Sequence, residues 1–390
     1  MATPPNLRRA AGSLLVVGLG GTELTGLERA WLRVIRPAGI ILFKRNIADV
    51  EQTRALLNEA TGLGALHSAR CVDVEGGTVN RFRDALGPMP SAQAVARAER
   101  HPTLSAKSRG KDGAPSLARE HGDLTARAVK AFGCNTTLAP VVDLGLPMSA
   151  EVLGTRPPAA DPAEVVAFAR GFLGALAAQG VAGCGKHFPG LGSTDLDSHF
   201  VTPMIDRTVA QMWDEDLVPY RELHTLMPII MTNHAAYPRT PSKAAPSSAS
   251  RFWITNVLRK RIGYRGLIFT DDLEMGGILK FMEIEEAVVT ATRAGSDLLE
   301  ICHSVELILR AFEGLLAEAE KSAAFRRLLL ERATEVERKR ARLYTGIPRR
   351  LTPKQFDELR GRVARFLERV TSLSEGDSFA PRDVSPAERV

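Results

Sequence analysis

The sequence contains no long apolar segment and few cysteines. Across its 390 residues, no stretch approaches the ~18 consecutive apolar residues that a membrane-spanning helix needs, so no membrane span is predicted. The four cysteines, Cys71, Cys134, Cys184 and Cys302, are far apart and form no CxxC pair. Each lies in or beside an apolar run, so we expect buried, reduced thiols, as in a cytoplasmic protein.

Several common cofactor and nucleophile motifs are also absent. There is no GxGxxG after a strand with a later acid, no Walker A sequence and no GxSxG. His187 and His199 are separated by a glycine-rich stretch and no HExxH occurs, so a zinc site is not indicated. We therefore expect neither a metal nor a cofactor.

The N-terminal segment "MATPPNLRRAAGSLLVVGLGG" needs to be distinguished from a signal peptide. Arg8 and Arg9 could form the basic start of one, but the apolar run after them is short and ends in "GLGG" without a clear cleavage site. We interpret this run as a first β-strand that leads into a turn.

Charge is concentrated in one part of the chain. Ten Lys or Arg residues and three Glu lie between Lys321 and Arg350, so the rest of the chain is about neutral although the formal charge is +6. A single basic segment with helical spacing is weak evidence for nucleic-acid binding, and a solvated helix face explains it better.

Apolar runs recur at the spacing of strands that alternate with helices. Helix-like stretches lie between them, including 164–180 and 249–266. The pattern predicts an α/β protein with a parallel (β/α)8 barrel of the TIM type, while a doubly wound open sheet remains the alternative. The eight predicted strands lie in runs 13–20, 39–43, 69–74, 134–140, 180–188, 227–234, 266–272 and 295–302.

Polar side chains follow several of these runs. In a parallel barrel, the catalytic groups lie at the carboxyl ends of the strands, so these side chains should meet on one face. They are Asp73 and Glu75, Lys186 and His187, Asn233 and His234, and Asp271 and Asp272.

The chain divides into three parts on composition and pattern. We expect a catalytic barrel over residues 1–345, a helical extension over 346–373 and a disordered tail over 374–390, where apolar content is low. Within the barrel, the polar stretch 107–116 is expected to be an exposed loop.

The ionisable residues fit glycoside cleavage by double displacement. Asp271 can act as the carboxylate nucleophile, although "TDD" would also suit a helix N-terminus. His199 can donate the proton, because its ordinary pKa lies near neutrality, and Asp197 can orient and charge its ring. In "KHFPGLGSTDLDSH" (186–199), glycine and proline would let the chain turn.

The same stretch closely resembles the signature of bacterial β-N-acetylglucosaminidases of glycoside hydrolase family 3, of the NagZ type. "IFTDDLEMGG" is similar to the family's nucleophile segment, and "VDVEGGTVNRFR" to its early sugar-binding segment; "GIILFKRNI" and "LAPVVDL" are similar too. In "VLGTRP", Thr155 stands where the family usually has Asn before the sugar-binding arginine. The resemblance covers about residues 13 to 345.

The resemblance implies roles for particular residues. Asp271 would be the nucleophile, while His199 with Asp197 would form the acid/base dyad. The expected substrate-binding residues are Asp73, Arg81, Arg156, Lys186, His187 and His234. It further implies a single barrel without a cofactor that removes non-reducing terminal N-acetylglucosamine (GlcNAc).

The leading hypothesis is therefore a retaining exo-β-N-acetylglucosaminidase. The resemblance implies action on peptidoglycan fragments that carry anhydro-N-acetylmuramic acid, in cell-wall recycling. We expect a cytoplasmic monomer with a small carbohydrate substrate and no nucleic-acid partner. Two alternatives stay open: a family 3 glycosidase or phosphorylase for another sugar, and a non-catalytic barrel that binds sugar or nucleic acid.

Overall fold

The computed structural model describes residues 5–102, 104, 116–194 and 202–374. Asp197 and His199 lie outside the described residues, as do most of the predicted loop 107–116 and the tail after residue 374.

Eight parallel strands close into a barrel. Each strand pairs with its neighbours in chain order, and the first strand also pairs with the eighth. All eight predicted strands and the predicted barrel are confirmed. The strands are Leu15–Val17, Gly39–Leu42, Ala69–Val72, Thr136–Thr137, Ala182–Phe188, Ile229–Thr232, Leu267–Asp272 and Leu298–Ile301.

Helices surround the barrel and connect its strands. In chain order they are Pro5–Gly12, Gly26–Ile35, Val50–Leu63, Arg83–Leu86, Ala92–Glu99, Ser116–Ala131, Ala150–Leu153, Pro162–Ala178, Val209–Asp214, Val218–Leu223, the π-type helix Phe252–Ile262, Gly276–Leu279, Ile284–Ala294, Val305–Lys321, Ala323–Leu343 and Pro353–Ser374.

The helix Pro162–Ala178 shows how the sequence sets these boundaries. The carboxylate of Asp161 accepts hydrogen bonds from the first turn, and Pro162 occupies the position where a missing N–H costs nothing. Gly180, just after the end, has φ +69°, a left-handed conformation that glycine adopts without strain. Both predicted helical stretches, 164–180 and 249–266, are confirmed as helical.

The basic segment 321–350 is more deeply packed than a solvated helix face. Arg332 and Lys339 form ion pairs with the fully buried carboxylate of Asp297, which also pairs with Arg259. Arg340 is buried and donates a hydrogen bond to the Ala38 carbonyl. Part of the basic surplus therefore anchors the helix Ala323–Leu343 to the barrel.

All four cysteines are free and buried, in agreement with the expected reduced thiols. Burial raises the pKa of the Cys134 thiol to about 12, so this group is protonated at neutral pH. Within the part of the chain that is described, no helix is both long and apolar enough to cross a bilayer.

Candidate active site

A buried lysine joins two carboxylates at the carboxyl end of the barrel. Lys186 Nζ lies 2.8 Å from Asp73 Oδ1 and 2.7 Å from Glu75 Oε1. Lys186 belongs to the end of the fifth strand, whereas Asp73 directly follows the third strand. Both lie at the face where catalytic groups were expected.

Glu75 reaches the site from a short hairpin. The strand Val74–Gly76 pairs with Val79–Asn80, and Gly76 and Gly77 have φ +96° and +60°. A Cβ at Gly76 would lie 2.1 Å from the Pro90 carbonyl oxygen, so a side chain there would clash. The two glycines thus let the hairpin turn tightly beside the barrel mouth.

A second buried cation binds the same glutamate. Arg156 donates from Nε to Glu75 Oε2 at 2.9 Å and from Nη2 to Oε1 at 3.0 Å. Burial alone would raise the pKa of Glu75, but the charges of Arg156 and Lys186 outweigh this effect and hold that pKa well below its ordinary value. Burial likewise opposes the charge of Lys186, and Asp73 and Glu75 reverse the effect and raise its pKa.

His187 lies between the carboxylate of Asp143 and the guanidinium of Arg156. Its Nδ1 lies 2.7 Å from Asp143 Oδ2, and its backbone N–H donates to the same oxygen at 3.1 Å. Arg156 Nη2 lies 3.3 Å from Nε2. Because arginine can only donate, Nε2 accepts and the neutral ring carries its proton on Nδ1, toward Asp143.

Asp143 also holds the start of the glycine-rich stretch. Its Oδ1 accepts a hydrogen bond from the Leu191 N–H at 2.8 Å. Nearby, Arg207 donates to Ser193 Oγ at 3.0 Å and lies 3.4 Å from Asp216 Oδ2. Burial raises the pKa of Asp216 to about 7, although the charge of Arg207 lowers it. These contacts fix residues 191–193, just before the predicted dyad residues Asp197 and His199.

Arg81 completes the cluster of buried charges. Its guanidinium lies 3.7 Å from Asp73 Oδ2 and over the ring of Phe43, 5.4 Å from the centroid. The structure therefore brings five predicted substrate-binding residues into one network: Asp73, Arg81, Arg156, Lys186 and His187.

Asp271 lies at a bulge in the seventh strand. Phe269 pairs with Leu298 and Asp272 with Glu300, so the seventh strand has one extra residue between these pairs. The Glu300 N–H donates to the Thr270 side chain at 3.1 Å. Such a bulge redirects side chains near the end of a strand. Asp271 Oδ1 accepts a hydrogen bond from the Asp272 N–H at 3.0 Å.

His234 contacts the protein through both ring nitrogens, which changes the role expected for it. Its Nδ1 lies 2.7 Å from Ser248 Oγ, and its Nε2 lies 2.9 Å from the Asp272 carbonyl oxygen. The carbonyl can only accept, so Nε2 carries the proton. We therefore expect His234 to hold the chain just after Asp271 rather than to bind a sugar hydroxyl through a ring nitrogen.

One group of metal-ligand types occurs among the described residues. Ligand atoms of Asp272, Cys302 and His303 lie within 4.8 Å of one another. However, Arg45 Nη1 lies 2.9 Å from His303 Nδ1, so Nδ1 accepts and the ring proton sits on Nε2, which faces Asp272. A metal-bound histidine normally donates its second ring N–H to an acceptor. This cluster fits hydrogen bonding, not metal ligation.

The sequence did not assign roles to Glu75, Asp143 or His303. Glu75 follows the third run, but its contact with Arg156 depends on a partner 81 positions away. Asp143 follows the fourth strand in "LAPVVDL", and its position after a strand was the available signal. Cys302 ends the eighth run and His303 follows it, and nothing in the sequence links them to Asp272.

The site as a whole suits a neutral, polyhydroxylated ligand. Buried cations and carboxylates alternate around the barrel mouth and largely cancel in charge, and their oxygens and N–H groups are of the kinds that bind hydroxyls. Asp271, at the bulge of the seventh strand, adds a further carboxylate at the carboxyl end of the barrel.

Comparison with known proteins gives a consistent result. The family model described as "Glycosyl hydrolase family 3 N terminal domain" matches residues 7–336. A β-hexosaminidase from Idiomarina loihiensis is 34% identical over 312 residues, which cover 80% of this chain and 90% of that protein. A β-hexosaminidase from Chromobacterium violaceum is 36% identical over 293 residues, covering 75% and 79%.

Solved structures are similar as well. The family 3 β-N-acetylglucosaminidase from Paenibacillus sp. str. FPU-7 has a TM-score of 0.80 at 27% identity, covering 93% of this chain and 68% of that one. NagZ from Neisseria gonorrhoeae, in complex with N-trifluoroacetyl-D-glucosamine, has a TM-score of 0.71 at 28% identity, covering 91% and 98%. On this evidence, the chain belongs to glycoside hydrolase family 3.

Proposed function

We propose that the protein is a retaining exo-β-N-acetylglucosaminidase. The observation that carries the proposal is the buried network of Lys186, Asp73, Glu75 and Arg156 at the carboxyl end of the barrel, where the seventh strand also ends with Asp271 and Asp272. Relatives named β-hexosaminidase and β-N-acetylglucosaminidase support the choice of sugar.

In this proposal, the network grips the hydroxyls of a terminal GlcNAc. Asp271 attacks the anomeric carbon and forms a covalent glycosyl-enzyme, while His199, oriented by Asp197, gives a proton to the departing oxygen. His199 then takes a proton from water, which attacks the same carbon and releases the sugar. Two displacements at one carbon retain the β configuration.

The ion pairs of the network support the proposal that its binding groups are oriented before substrate arrives. Lys186 and Arg156 are already held by carboxylates, so their donors are oriented before binding. Preorganised charges of this kind stabilise a transition state better than mobile surface charges do.

The proposed substrate is a peptidoglycan fragment with GlcNAc linked to anhydro-N-acetylmuramic acid. The NagZ of Neisseria gonorrhoeae matches over 91% of this chain and 98% of its own, which supports an enzyme of the same kind. The four buried, free thiols fit a reducing cytoplasm. We propose that the enzyme acts there as a monomer, which light scattering would test.

Two aryl glycosides test the activity. Aryl β-N-acetylglucosaminide should be hydrolysed much faster than aryl β-glucoside, and proton NMR should show β-GlcNAc as the first product. Faster glucoside cleavage would assign another sugar, and initial α anomer would exclude double displacement. Addition of inorganic phosphate should leave the product unchanged; formation of GlcNAc-1-phosphate would instead identify a phosphorylase.

A further inference from the structure

The carboxylate of Asp271 contacts the backbone N–H of the next residue. The Asp272 N–H donates to Asp271 Oδ1 at 3.0 Å, and the Asp272 carbonyl accepts from His234 Nε2 at 2.9 Å. The Leu273 N–H also donates to the Glu300 carbonyl at 2.9 Å, so the ladder holds the chain directly after the bulge. Within the bulge, the orientation of the Asp271–Asp272 peptide depends on further contacts of Asp272.

The side chain of Asp272 provides such contacts. Its Oδ1 accepts a hydrogen bond from the Glu274 N–H at 3.0 Å, and its Oδ2 lies 3.4 Å from His303 Nε2. The first contact is local, within the turn after the strand. The second joins the turn to the end of the eighth strand, so His303 links the Asp272 side chain to the barrel frame.

Arg45 determines which nitrogen His303 presents. Arg45 Nη1 donates to His303 Nδ1 at 2.9 Å, which places the proton of the neutral ring on Nε2, facing Asp272. Arg45 is itself fixed, because it donates to the carbonyls of Leu19 at 2.9 Å and Cys302 at 2.6 Å. The Phe43 ring packs against His303 at 4.9 Å.

We propose that His303 is a positioning residue for Asp271 and that it acts through Asp272. Arg45 sets the ring, the ring holds the Asp272 carboxylate, and the Asp272 N–H then keeps its hydrogen bond to the nucleophile. This inference rests on the proposed function, in which Asp271 is the nucleophile.

If His303 positions Asp271, its removal should change the pKa of Asp271; if His303 only stabilises the fold, that pKa should stay the same. A hydrogen bond to an ionised carboxylate favours the ionised form, so a weaker bond from Asp272 N–H should raise the pKa of Asp271. The acid limb of kcat/KM reports this ionisation in the free enzyme. Other ionisable groups packed around the junction are unchanged in the variants below: Asp272, Glu274, Glu300, Cys302, Arg45, Lys186 and Cys184.

The test compares His303→Ala with His303→Gln, whose amide can replace the Nε2 donor. With an aryl β-N-acetylglucosaminide, the alanine variant should shift the acid limb of kcat/KM upward by about one pH unit. At neutral pH it should lower kcat roughly tenfold, with little change in KM. The glutamine variant should largely restore the wild-type acid limb and the wild-type kcat.

His67→Ala is the matched control. His67 Nδ1 also makes one hydrogen bond, 3.0 Å from the Tyr344 carbonyl oxygen, but it precedes the third strand, at the opposite end of the barrel. This variant should keep the wild-type acid limb even if its thermal midpoint falls.

The outcomes separate the two proposals. An unshifted acid limb in His303→Ala, or an equal shift in His67→Ala, would overturn the role of His303 while Asp271→Asn remains inactive. Full activity of Asp271→Asn would instead refute the proposed function on which the inference rests.

Discussion

Arg156 and Glu75 form a bidentate ion pair in the wall of the proposed sugar site. The guanidinium donates through Nε and Nη2 to the two carboxylate oxygens at 2.9 and 3.0 Å, and the Glu75 side chain is 3% exposed. Lys186 shares one of the same oxygens. The carboxylate of Glu75 therefore lies against two buried cations, Lys186 and Arg156. Arg156 also contacts His187.

Glu75→Gln should be strongly destabilising. The amide has nearly the same shape but no charge, so Arg156 loses its bidentate carboxylate contact, while Lys186 keeps its contact with Asp73. Removing one partner of a buried ion pair costs about 3–5 kcal/mol. The free energy of unfolding, measured in urea, and kcat/KM should both decrease. Glu59→Gln, which removes an exposed pair with Arg29, is the control and should change little. Equal effects of the two substitutions would contradict this view.

The barrel was predictable because its strands are continuous apolar runs. The run "GVAGCGKHF" contains the fifth strand, and its last polar residues, Lys186 and His187, mark the carboxyl end. The polar network was only partly predictable. Glu75 and Asp143 were identifiable as acids after strands, but their partners are set by closure of the barrel.

The role of His234 shows the limit of position alone. It follows the sixth strand at the face where substrate binds, yet the fold places Ser248 and the Asp272 carbonyl against its two nitrogens. Both partners come from segments distant in sequence. Sequence spacing predicts which face a side chain reaches, but not whether another part of the protein uses its polar atoms first.

Asp271→Asn should abolish turnover without unfolding the protein. An amide cannot form the ester intermediate, and removal of a nucleophile costs several kcal/mol of barrier. Steady-state assays should find less than about a hundredth of the wild-type rate, with an unchanged circular dichroism spectrum. A variant that retains more activity than this would require a different nucleophile.

His121 should make the protein less stable in weak acid. Its ring packs against Phe168, Phe172 and Phe366, and neither ring nitrogen has a hydrogen-bond partner among the described residues. Burial lowers the pKa of His121 to about 3, compared with about 6.5 in an unfolded chain. Between these values the unfolded state binds more protons, so stability is complete above pH 6.5 and falls as the pH decreases toward 3.

His121→Leu isolates this effect. From pH 7 to pH 5, the wild type should lose about 2 kcal/mol more of its free energy of unfolding than the variant. At pH 7 the variant should be at least as stable, because an apolar side chain replaces a buried ring with unsatisfied nitrogens. Urea titrations at the two pH values measure both quantities. Parallel losses in the two proteins would show that His121 is solvated or paired.

Chelation should leave the activity unchanged. Arg45 donates to His303 Nδ1, so the nitrogen that faces Asp272 and Cys302 carries a proton rather than a free lone pair. Rates after dialysis against EDTA should equal those of the untreated enzyme. A loss of activity that a divalent ion restores would show that the enzyme requires a metal.

His199→Ala separates two steps of the proposed mechanism. Cleavage of a sugar-linked bond needs a proton in the transition state, which positioned acid catalysis makes roughly 100- to 10,000-fold faster. Dinitrophenolate leaves without that proton. The variant should therefore lose far more activity on a natural disaccharide than on the dinitrophenyl glycoside.

The second step needs a base whichever group has left. With the dinitrophenyl substrate, His199→Ala should give a burst of phenolate followed by slow turnover, and mass spectrometry should find glycosylated Asp271. Asp197→Asn should show the same behaviour in milder form, because in the proposal it only orients and charges the imidazole. Equal rate losses on both substrates, without a burst, would mean that His199 only binds sugar and that another group is the acid/base.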